Sequence, residues 1–188
     1  MDDHRLAADA ARGDEEALTA LIERYRSYVY TIAYRIALDE DDALDIAQNV
    51  FIRVVEKIGQ FAGRGSFRAW LASVASREAL SFLRRRPNRE TPTEPAVLEA
   101  LSDERHGNAP DNPRRIVETA ERMRLVESVM QCLSPQQRAI FALRAVEDMR
   151  PREIAEHLGI PARQVHNQLH RTIARIRRAL MDRGVLET

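Results

Sequence analysis

Arginine, glutamine and asparagine recur at spacings of one, three and four residues between Arg163 and Arg171. An arginine can grip a guanine edge with two hydrogen bonds, and asparagine or glutamine can do the same for adenine. Arg163, Gln164, Asn167 and Gln168 are therefore candidates for reading base edges. Arg171, Arg175 and Arg178 fit phosphate. Such chemistry needs a helix held in a major groove, and the sequence around it predicts one. Pro151 suits a first helical turn, where its missing N–H costs nothing. Ile154, Ala155 and Leu158 form an apolar face at helical spacing. Gly159 sits where a left-handed residue ends that helix. Ile160 plugs the corner, Pro161 starts the second helix, and Val165, Leu169 and Ile173 or Ile176 point inward. The pattern is a helix-turn-helix. An ordinary helical hairpin explains the polar face but not the corner and caps together. His166 and His170 are four apart, a zinc-ligand spacing, but have no intervening glutamate and no obvious third ligand. A groove-facing polar pair is their other reading.

The rest of the chain offers little enzyme chemistry. It shows no phosphate-binding glycine loop, no nucleophile elbow and no paired carboxylates in a plausible cleft, so neither an enzyme nor a cofactor is expected. One cysteine among 188 residues excludes a disulfide framework. Cys132 lies among Val129, Met130 and Leu133 and reads as a small buried hydrophobe. No apolar run approaches the ~18 residues of a membrane span. The first residues lack a basic head before an apolar core, so no secretion signal is read and a cytoplasmic protein is expected. The formal net charge is zero, yet the charges are sorted. Residues 1–56 hold 13 acidic and 6 basic side chains, whereas residues 57–89 hold 8 basic and 1 acidic. The basic block suits phosphate, and the acidic one suits a basic protein surface.

Hydrophobic periodicity predicts an all-α chain of two small helical domains joined by a flexible linker. A short helix runs from Leu6 to about Arg12 and stops at Gly13. Asp14 begins a second, with Leu18, Leu21, Ile22, Tyr25, Val29, Ile32, Ala33 and Ile36 on its apolar stripe. The run Asp39–Asp42 fits a third helix N-terminus, where the helix dipole favours anions. Ala43, Ile46, Ala47, Val50, Phe51, Val54 and Ile58 follow on its inner face. Ser66 caps a fourth helix that carries Phe67, Trp70, Leu71, Val74, Ala75, Phe82 and Leu83. Its basic end, Arg84–Arg86, stops at Pro87. Five prolines mark residues 87–113 as a linker, which can reach about 90 Å when extended. The first domain is thus 1–86 and the second 114–188. The second opens on a helix with Ile116, Val117, Met123, Val126, Val129 and Met130. Ser134-Pro135-Gln136-Gln137 then starts another helix, with a serine cap, proline at the first position and glutamine three after the cap.

Three motifs in this order resemble bacterial RNA polymerase sigma factors, most nearly the compact extracytoplasmic-function class. Asp42-Ala43-Leu44-Asp45-Ile46-Ala47-Gln48-Asn49-Val50-Phe51-Ile52-Arg53-Val54 resembles the polymerase-binding helix. Ser66-Phe67-Arg68-Ala69-Trp70-Leu71, leading to Phe82-Leu83-Arg84-Arg85-Arg86, resembles the promoter-melting helix. Leu133–Arg138, continuing through Glu153–Pro161, resembles the C-terminal domain. The resemblance implies an alternative sigma factor that docks on the clamp helices of core RNA polymerase's largest subunit and directs promoter-specific initiation. Asp45, Gln48, Asn49 and Arg53, on one side of their helix, are the docking candidates. It also implies that the loop Phe61–Ser66 pockets a flipped base of the minus-ten element. Phe61, Arg64 and Ser66 would act there, with Arg68, Arg77, Arg84 and Arg85 on phosphate. Trp70 could stack on a base or fill the core, and the core is favoured. Arg163, Gln164, Asn167, Gln168, Arg171 and Arg175 would meet the minus-thirty-five element. A partner of opposing function, an anti-sigma factor wedged against both domains, is implied as well.

The chain departs from the family pattern at three places. Asn49 stands where an acid is usual. Arg77 and Ser81 stand where Asn and Asp are frequent. His166-Asn167-Gln168 replaces a basic-Ser-basic triplet. Two rivals follow from the residues: a regulator that binds duplex without polymerase, and a sigma-like protein that binds a partner but no longer opens promoters. The first leaves the two N-terminal motifs without a task.

Overall fold

In the computed structural model, residues 2–61, 63, 65–86 and 128–182 are described. The expected linker at 87–113 and most of the helix expected from Arg114 lie outside them. All the regular structure among the described residues is helical.

Local chemistry sets the helix boundaries. Helix α1 (Asp3–Ala11) follows Asp2, and Gly13 turns the chain with φ 96°. Helix α2 (Glu15–Ala37) is capped by Asp14, whose carboxylate accepts from the Ala17 N–H at 3.0 Å. Helix α3 (Glu40–Lys57) is capped in the same way by Asp39, which accepts from the Asp42 N–H at 2.9 Å. A 3-10 turn (Ile58–Gln60) leads to the loop before α4 (Phe67–Arg85), capped by Ser66. Helix α5 (Pro135–Glu147) starts with the expected reciprocal box: Gln137 N–H donates to Ser134 Oγ at 3.3 Å, and Ser134 N–H donates to Gln137 Oε1 at 2.9 Å. Helices α6 (Pro151–Leu158) and α7 (Ala162–Asp182) flank Gly159, left-handed at φ 66°. Pro161 lies just before α7 rather than inside it, and its carbonyl accepts from the Gln164 and Val165 N–H groups.

Helix α2 is the axis of the N-terminal unit, with α1, α3 and α4 packed around it. Val29, Ile32, Ala33 and Ile36 of α2 join Ile46 and Val50 of α3 and Phe67 and Leu71 of α4 in the core. Asp42 is also buried at 1% exposure, an unusual place for a carboxylate unless paired. Arg86, just past α4, donates to it at 2.5 Å. In the second unit Val165 and Leu169 point inward as expected. Thr172 takes the next inward position, at 1% exposure, while Ile173 faces out at 53%. Cys132 is half-buried rather than fully enclosed, and its thiol donates to the Ser128 carbonyl at 3.6 Å.

The two units share one core. Helix α5 packs on α2 and α4, and α6 packs on α4. Helix α4 consequently has neighbours on opposite sides, and every residue from Leu71 to Ser76 is buried. Ala72, Ser73, Ser76 and Ala79 are small enough to permit that close approach.

Candidate nucleic-acid and partner-binding surfaces

The polar face of α3 is where periodicity predicts it. Asp45 and Gln48 are exposed and Asn49 is half-buried. Arg53 is not free: it donates to Glu56 at 2.8 Å and lies 3.6 Å from Glu78. Between these polar residues runs a ridge that the sequence reading missed. Leu44, Ile52 and Val55 are each more than half exposed. With Gln48 they form a straight row at i, i+4, i+8 and i+11 on α3. The available signal was their surplus: they are apolar residues outside the inward stripe.

Phe61, at the start of the loop before α4, is held by aromatic packing. Phe61 is half-buried, with ring centroids 5.5 Å from His4, 5.4 Å from Phe67 and 5.7 Å from Trp70. It is thus an anchor of the loop, and the core role favoured for Trp70 extends to it. Gly63 and Gly65 have φ of 68° and 75°, a conformation that suits glycine. Arg64 lies outside the described residues. The Ser66 hydroxyl accepts from the Ala69 N–H at 3.1 Å, so its lone pair serves the helix.

The expected phosphate-binding arginines of α4 divide into two groups. Arg68 donates through Nε to Glu147 of α5 at 3.0 Å, and its guanidinium lies 4.2 Å from the centre of the Tyr28 ring. The Tyr28 hydroxyl donates to the same carboxylate. Burial, then that hydrogen bond and charge, push the Tyr28 phenol far above its usual range. Arg85 is held by Glu78 and by the Ser81 hydroxyl, both at 3.2 Å. Arg77 and Arg84 remain exposed and make no ion pair with an acid among the described residues. They meet Arg53 and Lys57 along a cleft of about 590 Å³, whose opposite wall is Gln136, Leu158, Gly159 and Ile160. His157, beside that corner, is half-buried. Burial, then the Arg77 charge, hold its pKa below the usual histidine value.

On α7 the outward set differs from the expected one. Arg163, Asn167, Arg171 and Arg178 are exposed as predicted. Gln164 and Gln168 are not: both side-chain amides donate to Gln136 Oε1 at 3.2 Å. They fasten α7 to the start of α5. His166 and His170 are exposed beside Asn167. Arg175 is exposed and donates to the Cys132 carbonyl at 3.3 Å. Among the described residues no cluster of three or more His, Cys, Asp or Glu side chains is placed to hold a metal. None of the described helices is long and apolar enough to cross a membrane.

Residues 21–89 match the family model for Sigma-70 region 2, and residues 123–176 match Sigma-70, region 4. The extracytoplasmic-function (ECF) RNA polymerase sigma factor SigG of Mycobacterium tuberculosis is 32% identical over 185 residues, 89% of this chain and 49% of that protein. The chain thus spans about half the length of that relative. The ECF RNA polymerase sigma factor SigW of Bacillus subtilis is 27% identical, over 91% of this chain and 92% of that protein. Two solved structures share the fold. CnrH, in complex with the cytosolic domain of CnrY, has a TM-score of 0.60 at 23% identity, covering 96% of this chain and 97% of that one. RpoE of Bartonella quintana, in complex with the anti-sigma factor NepR, has a TM-score of 0.60 at 16% identity, covering 87% and 96%. The fold and its two surfaces define a two-unit sigma-70 architecture. The chain belongs to the sigma-70 family and is similar to its ECF members.

Proposed function

We propose that this chain is an alternative sigma factor, an initiation factor rather than an enzyme. It acts in the cytoplasm by bringing core RNA polymerase to chosen promoters. Residues 1–86 bind core and the minus-ten element, 87–113 serve as linker, and 114–188 read the minus-thirty-five element. The observation that carries the reading is the presence in one chain of an exposed apolar row on α3 and a helix-turn-helix with an arginine, histidine and asparagine face. A duplex-binding regulator needs only the second.

In this reading Leu44, Gln48, Ile52 and Val55 dock on the clamp helices of the largest subunit, with Asp45, Asn49 and Arg53 around them. Apolar area removed from water supplies affinity there, and the polar edge supplies register. Arg77 and Arg84, joined by Arg68 and Arg85 once their carboxylates let go, hold the opened minus-ten strand by its phosphates. Phe61 and Ser66 brace the loop that carries Arg64. Arg163, His166, Asn167 and His170 face base edges, and Arg171 and Arg175 face phosphate. The complexes of CnrH with CnrY and of RpoE with NepR support control of this chain by an anti-sigma factor.

Run-off transcription tests this. Purified chain plus core polymerase is expected to give transcripts from defined promoters that core alone does not make. Identical products with and without the chain would overturn the reading.

A further inference from the structure

A ladder of aromatic rings runs from the core to the surface beside the loop that precedes α4. Phe67, the innermost, is buried at 2% exposure. Phe61 and Trp70 are half-buried, with ring centroids 5.4 Å from that of Phe67 and 5.7 Å from each other. His4 of α1 is the outermost ring. Its centroid lies 5.5 Å from that of Phe61, at an interplanar angle of 35°, and the residue is exposed. Only its main-chain N–H makes a hydrogen bond among the described residues, so both ring nitrogens are free. Contacts on the far side of α1 hold it there. Asp3, the preceding residue, accepts from the Tyr25 hydroxyl and from Arg24 of α2, and Leu6 and Ala7 are buried. Helix α1 also packs on the 3-10 turn that leads into the loop. The Cβ that Gly63 lacks would stand 4.0 Å from His4 Nδ1, so glycine leaves that nitrogen uncovered on the loop side.

We infer that His4 is a specificity-determining contact for the unpaired promoter strand, taking one displaced base on its outer ring face and against its free nitrogens. This rests on the proposed role of the loop at the minus-ten element. An exposed histidine that served only solubility would need no ring beneath it, and one that served only the core would be covered. His4 is neither. An aromatic face open to solvent and backed by further rings is a stacking platform for single-stranded nucleic acid, because every base has a π-face. Stacking of that kind gives affinity with little preference among bases. Imidazole adds what Phe61 lacks: in the neutral ring one nitrogen donates and the other accepts, so it meets a base edge with a direction. The helix carrying it is already docked on α2, so little backbone remains to be ordered when the strand arrives. Helix α1 thus joins α4 and α7 as an element that touches DNA.

His4→Phe and His4→Ala separate the two contributions. Each variant is assembled with core polymerase and offered fragments of a promoter found by run-off transcription, held unpaired across a randomised minus-ten bubble. Captured fragments are then sequenced. His4→Phe keeps the ring and should capture the pool within about twofold of wild type, while His4→Ala should lose about tenfold. Both should lose base preference at one bubble position and keep it at the others. Core binding, preference for the upstream duplex and the thermal midpoint should match wild type in both. A loss of capture shared by all sequences, with preference intact, would make His4 a brace for the loop and overturn the assignment. Preference retained at every position in both variants, with wild type selective, would remove His4 alone and leave the loop's role standing. A wild-type holoenzyme that selects no base anywhere in the bubble would overturn the loop's role, and that of His4 with it.

Discussion

Arg138 in α5 donates through Nε to the main-chain carbonyl of Ile36, 2.6 Å away and near the end of α2. The same guanidinium reaches the Leu133 carbonyl at 3.0 Å, and the residue is 7% exposed. Burial lowers its pKa to about 10, so it still carries its charge at neutral pH. A cation at a helix C-terminus also meets the negative end of the dipole. Arg138→Met keeps much of the volume but removes the donors. Leaving buried carbonyls unsatisfied should lower the unfolding free energy by about 1–3 kcal/mol, measured by urea denaturation. An unchanged midpoint and slope would contradict this account.

On α7, His166→Ala and Asn167→Ala should each alter base preference in the minus-thirty-five region. A good base contact carries about 1–3 kcal/mol of discrimination. Gln164→Ala should leave preference intact, because that amide is committed to Gln136. Holoenzyme binding across a library of upstream elements measures both. A Gln164 variant that shifts preference as much as His166→Ala would return the glutamines to the groove.

For polymerase docking, the apolar row should matter more than the charges beside it. Ile52→Glu removes a side chain able to contribute about 1.5–3 kcal/mol when fully buried. Asp45→Ala, at the edge, should cost under about 1 kcal/mol. Competition for core against a labelled sigma factor gives the ranking, and the reverse ranking would place the docking energy in the polar edge.

Acid should loosen the contact between α6 and α4. His157 faces Arg77 of α4 and, on its own helix, Glu153 and Glu156. Burial and Arg77 depress its folded pKa, the carboxylates oppose that, and depression wins. A base whose folded pKa is depressed favours the neutral form, so its contribution is complete above the unfolded value of about 6.5. It is lost as pH falls from there through the folded value. Thermal midpoints should therefore decline between about pH 7 and pH 5, and less so in His157→Gln. Equal slopes for the two proteins would exclude His157 as the cause.

Short-range chemistry made much of the fold legible. Asp14, Asp39, Ser66 and Ser134 announce helix starts within three residues of the N–H groups they accept from, and Gly159 announces a stop by its own backbone. What was not legible depends on distant residues. Gln164 and Gln168 have the right chemistry for adenine, but Gln136 lies 28 and 32 positions earlier and takes their amides. Arg68 reads as a phosphate ligand until Glu147, 79 positions away, is seen beside it. The continuity of the two cores was invisible for the same reason. Ala72, Ser73, Ser76 and Ala79 lie outside the apolar stripe read for α4, and nothing local in the sequence marks them as room for a neighbour. Ile173 shows a finer failure: helical periodicity allowed either 173 or a later position inward, and Thr172 took the place beside it.

The bond between Asp42 and Arg86 fixes more than a buried carboxylate. It sets the point from which the succeeding segment departs, at the first turn of α3. A pull at Arg86 is therefore felt at the first turn of α3, the helix proposed to dock on polymerase, as well as at the end of α4. The exit of the chain from α4 and the start of the proposed dock thus share one mooring.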